Sequence, residues 1–143
     1  MSDSPTGCFV DSNVWLYALI DSEDARKSER AREILASPNL IVSTQVINEV
    51  CVNLRRRASI PEVQVRDLVR SFFEKCRVVE LTEAVLLRAS ELRERYSLSY
   101  WDGLIVAAAL SSGAAALCSE DMQHDLLIDA KLRIENPFLA GNN

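Results

Sequence analysis

Residues 104–110 read Leu104-Ile105-Val106-Ala107-Ala108-Ala109-Leu110, apolar on every side of a helix. Ser99-Tyr100-Trp101-Asp102 ahead of them has the spacing of a capping box, and Gly113 stops the run. A helix with no polar face is buried between other layers. It is also well short of the ~20 apolar residues of a membrane span. A chain that contains it must therefore supply a layer on each side.

The remaining sequence supplies them. Residues 7–11, 40–43, 77–81, 114–118 and 131–135 read as strands, short and bounded by polar or breaking residues. The alanines of 114–116 are poor strand formers, but their place after Gly113 favours a strand. Between the strands lie segments with helical spacing over 12–20, 23–36, 44–58, 61–75 and 82–96. In the third of these, Val46, Ile47, Val50, Cys51 and Leu54 form one stripe. In the fifth, Val85, Leu86, Ala89 and Leu92 point inward. Strands alternating with helices imply an α/β fold, a three-layer α/β/α sandwich around a mostly parallel sheet. The 143 residues fit one domain over 1–143, with 1–6 as a flexible tail.

Composition narrows the chemistry. The four cysteines, Cys8, Cys51, Cys76 and Cys118, make no CxxC pair and sit among apolar neighbours. Buried reduced thiols in a cytoplasmic protein are expected. His124 is the single histidine, which excludes a zinc site of several histidines. The first residues carry neither a basic end nor a long apolar stretch, so no signal peptide is expected, and no membrane association. The net charge of −5 argues against an all-basic nucleic-acid binder, though not against an enzyme acting on nucleic acid.

Four carboxylates stand where an open sheet binds ligands. Asp11 directly follows the first strand, and Asp121 follows the fourth after Ser119 and Glu120. Glu49 lies at the edge of the third helix's apolar stripe, and Asp102 in the first turn of the buried helix. Each has an ordinary alternative: Asp11 and Asp121 as caps or turn residues, Glu49 as a solvated acid, Asp102 as a favourable charge at a helix start. Together they read as a shared acidic pocket. Converging carboxylates repel and raise each other's pKa, a problem that a divalent cation removes. An all-oxygen donor set points to magnesium, with manganese as a substitute. Such a site suits phosphodiester hydrolysis by an activated water. Ser12, Asn13 and Ser119 are candidates to orient the acids, with turn and capping roles as the alternative.

Phe9-Val10-Asp11-Ser12-Asn13-Val14, Asn48-Glu49-Val50, the run from Ser99 to Ala109, and Ser119-Glu120-Asp121-Met122-Gln123-His124 resemble, in this order, the PIN-domain nucleases. The likeness is to VapC-type toxins of bacterial toxin–antitoxin pairs, and Ile134-Glu135-Asn136-Pro137-Phe138 is similar to that group's ending. The resemblance implies a magnesium-dependent endoribonuclease toxin with Asp11, Glu49, Asp102 and Asp121 in the metal pocket. It also implies an RNA substrate, a homodimer and a cognate VapB-type antitoxin. Many relatives carry glycine near the position of Asp125, which here is expected to face solvent. Glu120 is expected to point away from Asp121.

Other readings remain beside this one. Asp11 also suits a phosphorylated aspartate, as in haloacid-dehalogenase-like phosphatases or receivers. The former calls for a second aspartate where Asn13 stands, and Lys131 fits a receiver's lysine poorly. A non-catalytic PIN-like module binding RNA or protein is the other. Arg55-Arg56-Arg57 and the group Arg26, Lys27, Arg30 and Arg32 are either solvated faces or phosphate contacts. Tyr100 and Trp101 read first as core and second as base-stacking residues. His124 reads as a loop residue. Apolar surface on 12–20 and 61–75 serves a dimer or an antitoxin.

Overall fold

The computed structural model describes residues 7–20 and 23–139. The expected tail over 1–6 lies outside them. In chain order the elements are β1 (Cys8–Val10), α1 (Ser12–Leu19), α2 (Ala25–Leu35), β2 (Leu40–Ser43), α3 (Thr44–Ala58), α4 (Glu62–Lys75), β3 (Arg77–Val79), α5 (Glu83–Tyr96), α6 (Tyr100–Ser112), β4 (Ala116–Cys118), β5 (Leu127–Ile128) and β6 (Leu132–Glu135).

The strands form one sheet in the order β3-β2-β1-β4-β6-β5, parallel except for β5, which runs antiparallel to β6. Alternation along each strand sends side chains to opposite faces. Phe9, Ile41 and Leu117 join a large core with α3, α5 and α6, while Val10, Leu40 and Cys118 join a smaller one with α1, α2 and Phe138. The mostly parallel sheet flanked by helices is thus as the alternation of elements predicts. Residues 103–109 of α6 are all buried, as a helix without a polar face requires.

The cysteines are free thiols. Cys8 Sγ and Cys118 Sγ lie 3.0 Å apart across β1 and β4. Burial pushes the Cys51 and Cys76 thiols up, which keeps them protonated and unreactive.

Three expectations need correction. Strand β5 was not foreseen. It is two residues long, and its turn to β6 places Asp129 and Ala130 at φ 50° and 56°. Lys131 N–H donates to the Ile128 carbonyl to close that turn. Such turns usually advertise themselves by Asn-Gly or Asp-Gly, and Asp-Ala does not. Asp129 is held instead by Arg88, Arg95 and the Tyr96 hydroxyl, which anchor the hairpin to α5. Leu86 is 44% exposed rather than inward. Tyr100 and Trp101 are not core: they are 57% and 62% exposed, because the first turn of α6 projects beyond the buried part of the helix.

Candidate active site

The sheet order fixes where a site can form. From β1 the chain builds outward through β2 and β3, then returns to add β4 on the other side. The gap between β1 and β4 is the switch point, and ligands bind beyond the carboxyl ends of such strands. Val10 pairs with Cys118, so Asp11 and Ser119 leave the sheet side by side. Asp11 N–H donates to the Cys118 carbonyl at 3.0 Å, and Ser119 N–H to the Glu135 carbonyl at 2.9 Å.

Asp11 is both cap and buried acid. Its Oδ1 accepts the Ser12 backbone N–H at 2.8 Å, and its Oδ2 accepts the Ser119 hydroxyl at 2.9 Å. The side of the site it occupies is nearly closed, with Asp11 8% and Ser119 0% exposed. Burial pushes the carboxyl up to about 6; the two hydrogen bonds pull it down, and the negative charges of Glu49 and Asp102 push it further up. Three of the four sequence-predicted acids therefore share one electrostatic environment.

Each partner is placed by its own element. Helix α3 starts directly from β2 with Ser43 as its cap, and Glu49, half-buried, lies in its second turn. Gln45 Nε2, one turn earlier, donates to Glu49 Oε2 at 3.4 Å. Asp102 is half-buried in the first turn of α6, where Ser99 Oγ accepts its backbone N–H at 3.1 Å. Asp121 is exposed, on the loop after β4. Asn13 Nδ2 donates to its Oδ2 at 2.6 Å, which ties that loop to the start of α1.

Among the orienting candidates, Ser119 and Asn13 thus hold acids directly through their side chains. Ser12 does so through its backbone N–H. Glu120 points away, as expected: it bonds Lys27 and the Tyr17 hydroxyl. His124 Nδ1 accepts the Asn136 N–H in a loop. Asp125 is exposed and pairs with Arg133. Its φ of 70° explains why a glycine suits that position.

The residues present fit a hard cation. The donors are all oxygens, and the most buried carboxylate, Asp11, has its ionisation held back first by burial and then by the charges of Glu49 and Asp102. Among the described residues no three acidic, histidine or cysteine side chains close into a metal cage. Magnesium does not need one, since it keeps several waters and takes one or two carboxylates. Beside Glu49 an open cleft of about 410 Å³ is lined by Thr44, Gln45, Asn48, Glu49, Leu81 and Trp101. Sequence reading passed over Gln45 because it is a single polar residue on an otherwise apolar helix start. Its one signal was the four-residue spacing to Glu49.

The molecule is thus a mostly parallel α/β sheet with a buried carboxylate at its switch point and two further acids, Glu49 and Asp102, within its electrostatic reach. Residues 8–127 match the PIN domain model, and the chain belongs to the PIN domain family. Its fold is similar to that of the Mycobacterium tuberculosis toxin VapC20, described as cleaving the sarcin-ricin loop (TM-score 0.64, 23% identity, 78% of this chain and 87% of that one). It is also similar to a chain of a toxin–antitoxin complex from Klebsiella pneumoniae (0.68, 17%, 92% and 98%). A third likeness is to VapBC2 from Rickettsia felis bound to promoter DNA (0.62, 16%, 90% and 97%). No curated protein sequence matches the chain significantly. Among the described residues no helix is long and apolar enough to cross a membrane.

Proposed function

We propose that this chain is a magnesium-dependent endoribonuclease, the toxin of a toxin–antitoxin pair, using Asp11, Glu49, Asp102 and Asp121 as its acidic pocket. The observation that carries the reading is Asp11, a buried carboxylate at the switch point that feels both Glu49 and Asp102. Membership of the PIN domain family and similarity to toxins such as VapC20 support it.

The chain's own residues would do the following. Asp11, Glu49, Asp102 and Asp121 would surround the cation, binding it directly or through its waters. Ser119 fixes one oxygen of Asp11 and leaves its other lone pairs for binding. Asn13 keeps Asp121 from swinging away. When bound, the cation supplies Lewis-acid charge for the phosphoryl oxygens and lowers the pKa of a water. No nucleophilic side chain is required.

Partners follow from the same reading. Exposed apolar residues Leu19 on α1 and Val63 and Phe73 on α4 support a homodimer and an antitoxin of the VapB type. An RNA substrate and a VapB-type partner would place its action in the cytoplasm.

Purified protein incubated with total RNA and magnesium tests the reading. Cleavage should vanish with chelator and fall at least ~100-fold in Asp11→Asn. Cleavage that ignores both changes means that a different nuclease chemistry, or a contaminant, is responsible.

A further inference from the structure

The cleft beside Glu49 has an unusual lining. Trp101 forms one wall, with 62% of its surface exposed, and Leu81 adds an apolar patch. The polar members are Thr44, Gln45, Asn48 and Glu49, and no lining residue is a cation. The only charged group a phosphate would meet there is a carboxylate. A neutral, flat group with polar edges fits better.

The wall is also preorganised. Arg93 stacks on Tyr100, 4.1 Å from the ring centroid, and its Nη1 donates to the Tyr100 carbonyl at 3.1 Å. Tyr100 meets Trp101 edge to face at 5.3 Å. Gly103 leaves the room that Arg93 needs, since a Cβ there would lie 2.6 Å from Arg93 Cγ. Trp101 is thus braced from behind while remaining exposed.

Gln45 adds a polar signature. It is 8% exposed, and its Oε1 has no hydrogen-bond partner. The orientation of the amide is fixed by chemistry, because Glu49 accepts hydrogen bonds and so takes the Nε2. A buried acceptor without a donor is costly, and a small turn of the Gln45 side chain into the cleft it lines would offer Oε1 to a ligand N–H.

We propose that this cleft binds one unstacked base of the RNA, adjacent to the phosphate that is cut, with Trp101 as stacking face and Gln45 and Asn48 as readers of the base edge. Single-stranded RNA is recognised in this way, by stacking on aromatic rings and hydrogen bonds to base edges. Glu49 lines the cleft and its charge reaches Asp11, so a base seated here lies beside the acidic pocket and next to the phosphate that the pocket would cut. The proposal rests on the nuclease reading above and names what that site recognises.

The test uses the full chain in chelator, so that nothing is cut. Fluorescein-labelled hexaribonucleotides of A, C, G and U and an abasic ribose-phosphate hexamer are titrated by anisotropy. Base-bearing strands should bind more tightly than the abasic one. Trp101→Ala should lose that preference by roughly tenfold, and Trp101→Phe should restore most of it. Gln45→Ala should change the ranking of the four bases. Equal binding of the abasic strand, no binding of any hexamer, or unchanged binding by Trp101→Ala overturns the proposal. Magnesium-dependent cleavage of total RNA, run in parallel, separates the two readings. Cleavage by Trp101→Ala at unchanged sites and rate overturns the cleft and leaves the nuclease standing. Base-dependent binding without cleavage by wild type supports the cleft and removes the nuclease.

Discussion

Asp11 performs two tasks with one carboxylate. It caps α1 and, buried at the sheet end, carries the negative charge that a cation would need. Sequence could not choose between the two roles because one position serves both: the cap is formed, and burial at the sheet end leaves the same carboxylate where a cation would sit. The charge has a measurable consequence. Folded Asp11 titrates at about 6 against an ordinary 3.8, so between these pH values the folded chain keeps a proton that the unfolded chain has released. Folding stability therefore falls as pH rises from about 4 to 6, by up to about 3 kcal/mol, and stays lower above that range. Asparagine also caps helices, so Asp11→Asn should raise the melting temperature of the metal-free protein at pH 7.5. The difference should shrink towards pH 4; thermal denaturation in chelator measures it. Ser119→Ala removes a hydrogen bond that holds the Asp11 carboxyl down, so the carboxyl rises further. The acid limb of the cleavage profile should move to higher pH, and an unmoved limb would show that Asp11 does not control it. Trp101 was not legible as a surface residue. An aromatic ahead of an apolar run looks like core, and only the projection of the α6 start shows otherwise.

At the scale of elements, strands flanked by breakers and helices with one apolar stripe were readable, since each pattern has its own period. Leu40–Ser43 is entirely buried, as its β-branched run implies. Helix α6 was the clearest case, because an all-apolar helix has one solution. The hairpin of β5 and β6 was not readable, because long-range contacts hold it. Two arginines and a tyrosine converge on Asp129, whose side chain is 10% exposed and whose backbone is left-handed. Asp129→Ala should lower stability by about 1–2 kcal/mol. The modest figure reflects that Arg88 and Arg95 are 42% and 53% exposed. Urea denaturation measures the loss. No loss would mean that the turn holds without its anchor.

At the scale of the whole molecule, a common set of strand ends gathers residues far apart in sequence. Asp11 and Ser119 meet because β1 and β4 are neighbours, and Glu49 arrives because α3 leaves β2 on the other side of β1. Asp11 was legible as a strand-end acid and Glu49 as an acid on the edge of a helix stripe; only the strand order shows that these places adjoin. The proposed function requires Asp11, Glu49, Asp102 and Asp121 to bind a divalent cation together. Calorimetric titration of manganese into the wild-type chain at pH 7.5, beside Asp11→Asn, Glu49→Gln, Asp102→Asn and Asp121→Asn, tests it most directly. The account predicts saturable binding that weakens roughly tenfold or more when Asp11, the buried acid, is replaced, and weakens also at the other three. Equal affinity in wild type and Asp11→Asn, or no binding by wild type, would contradict it.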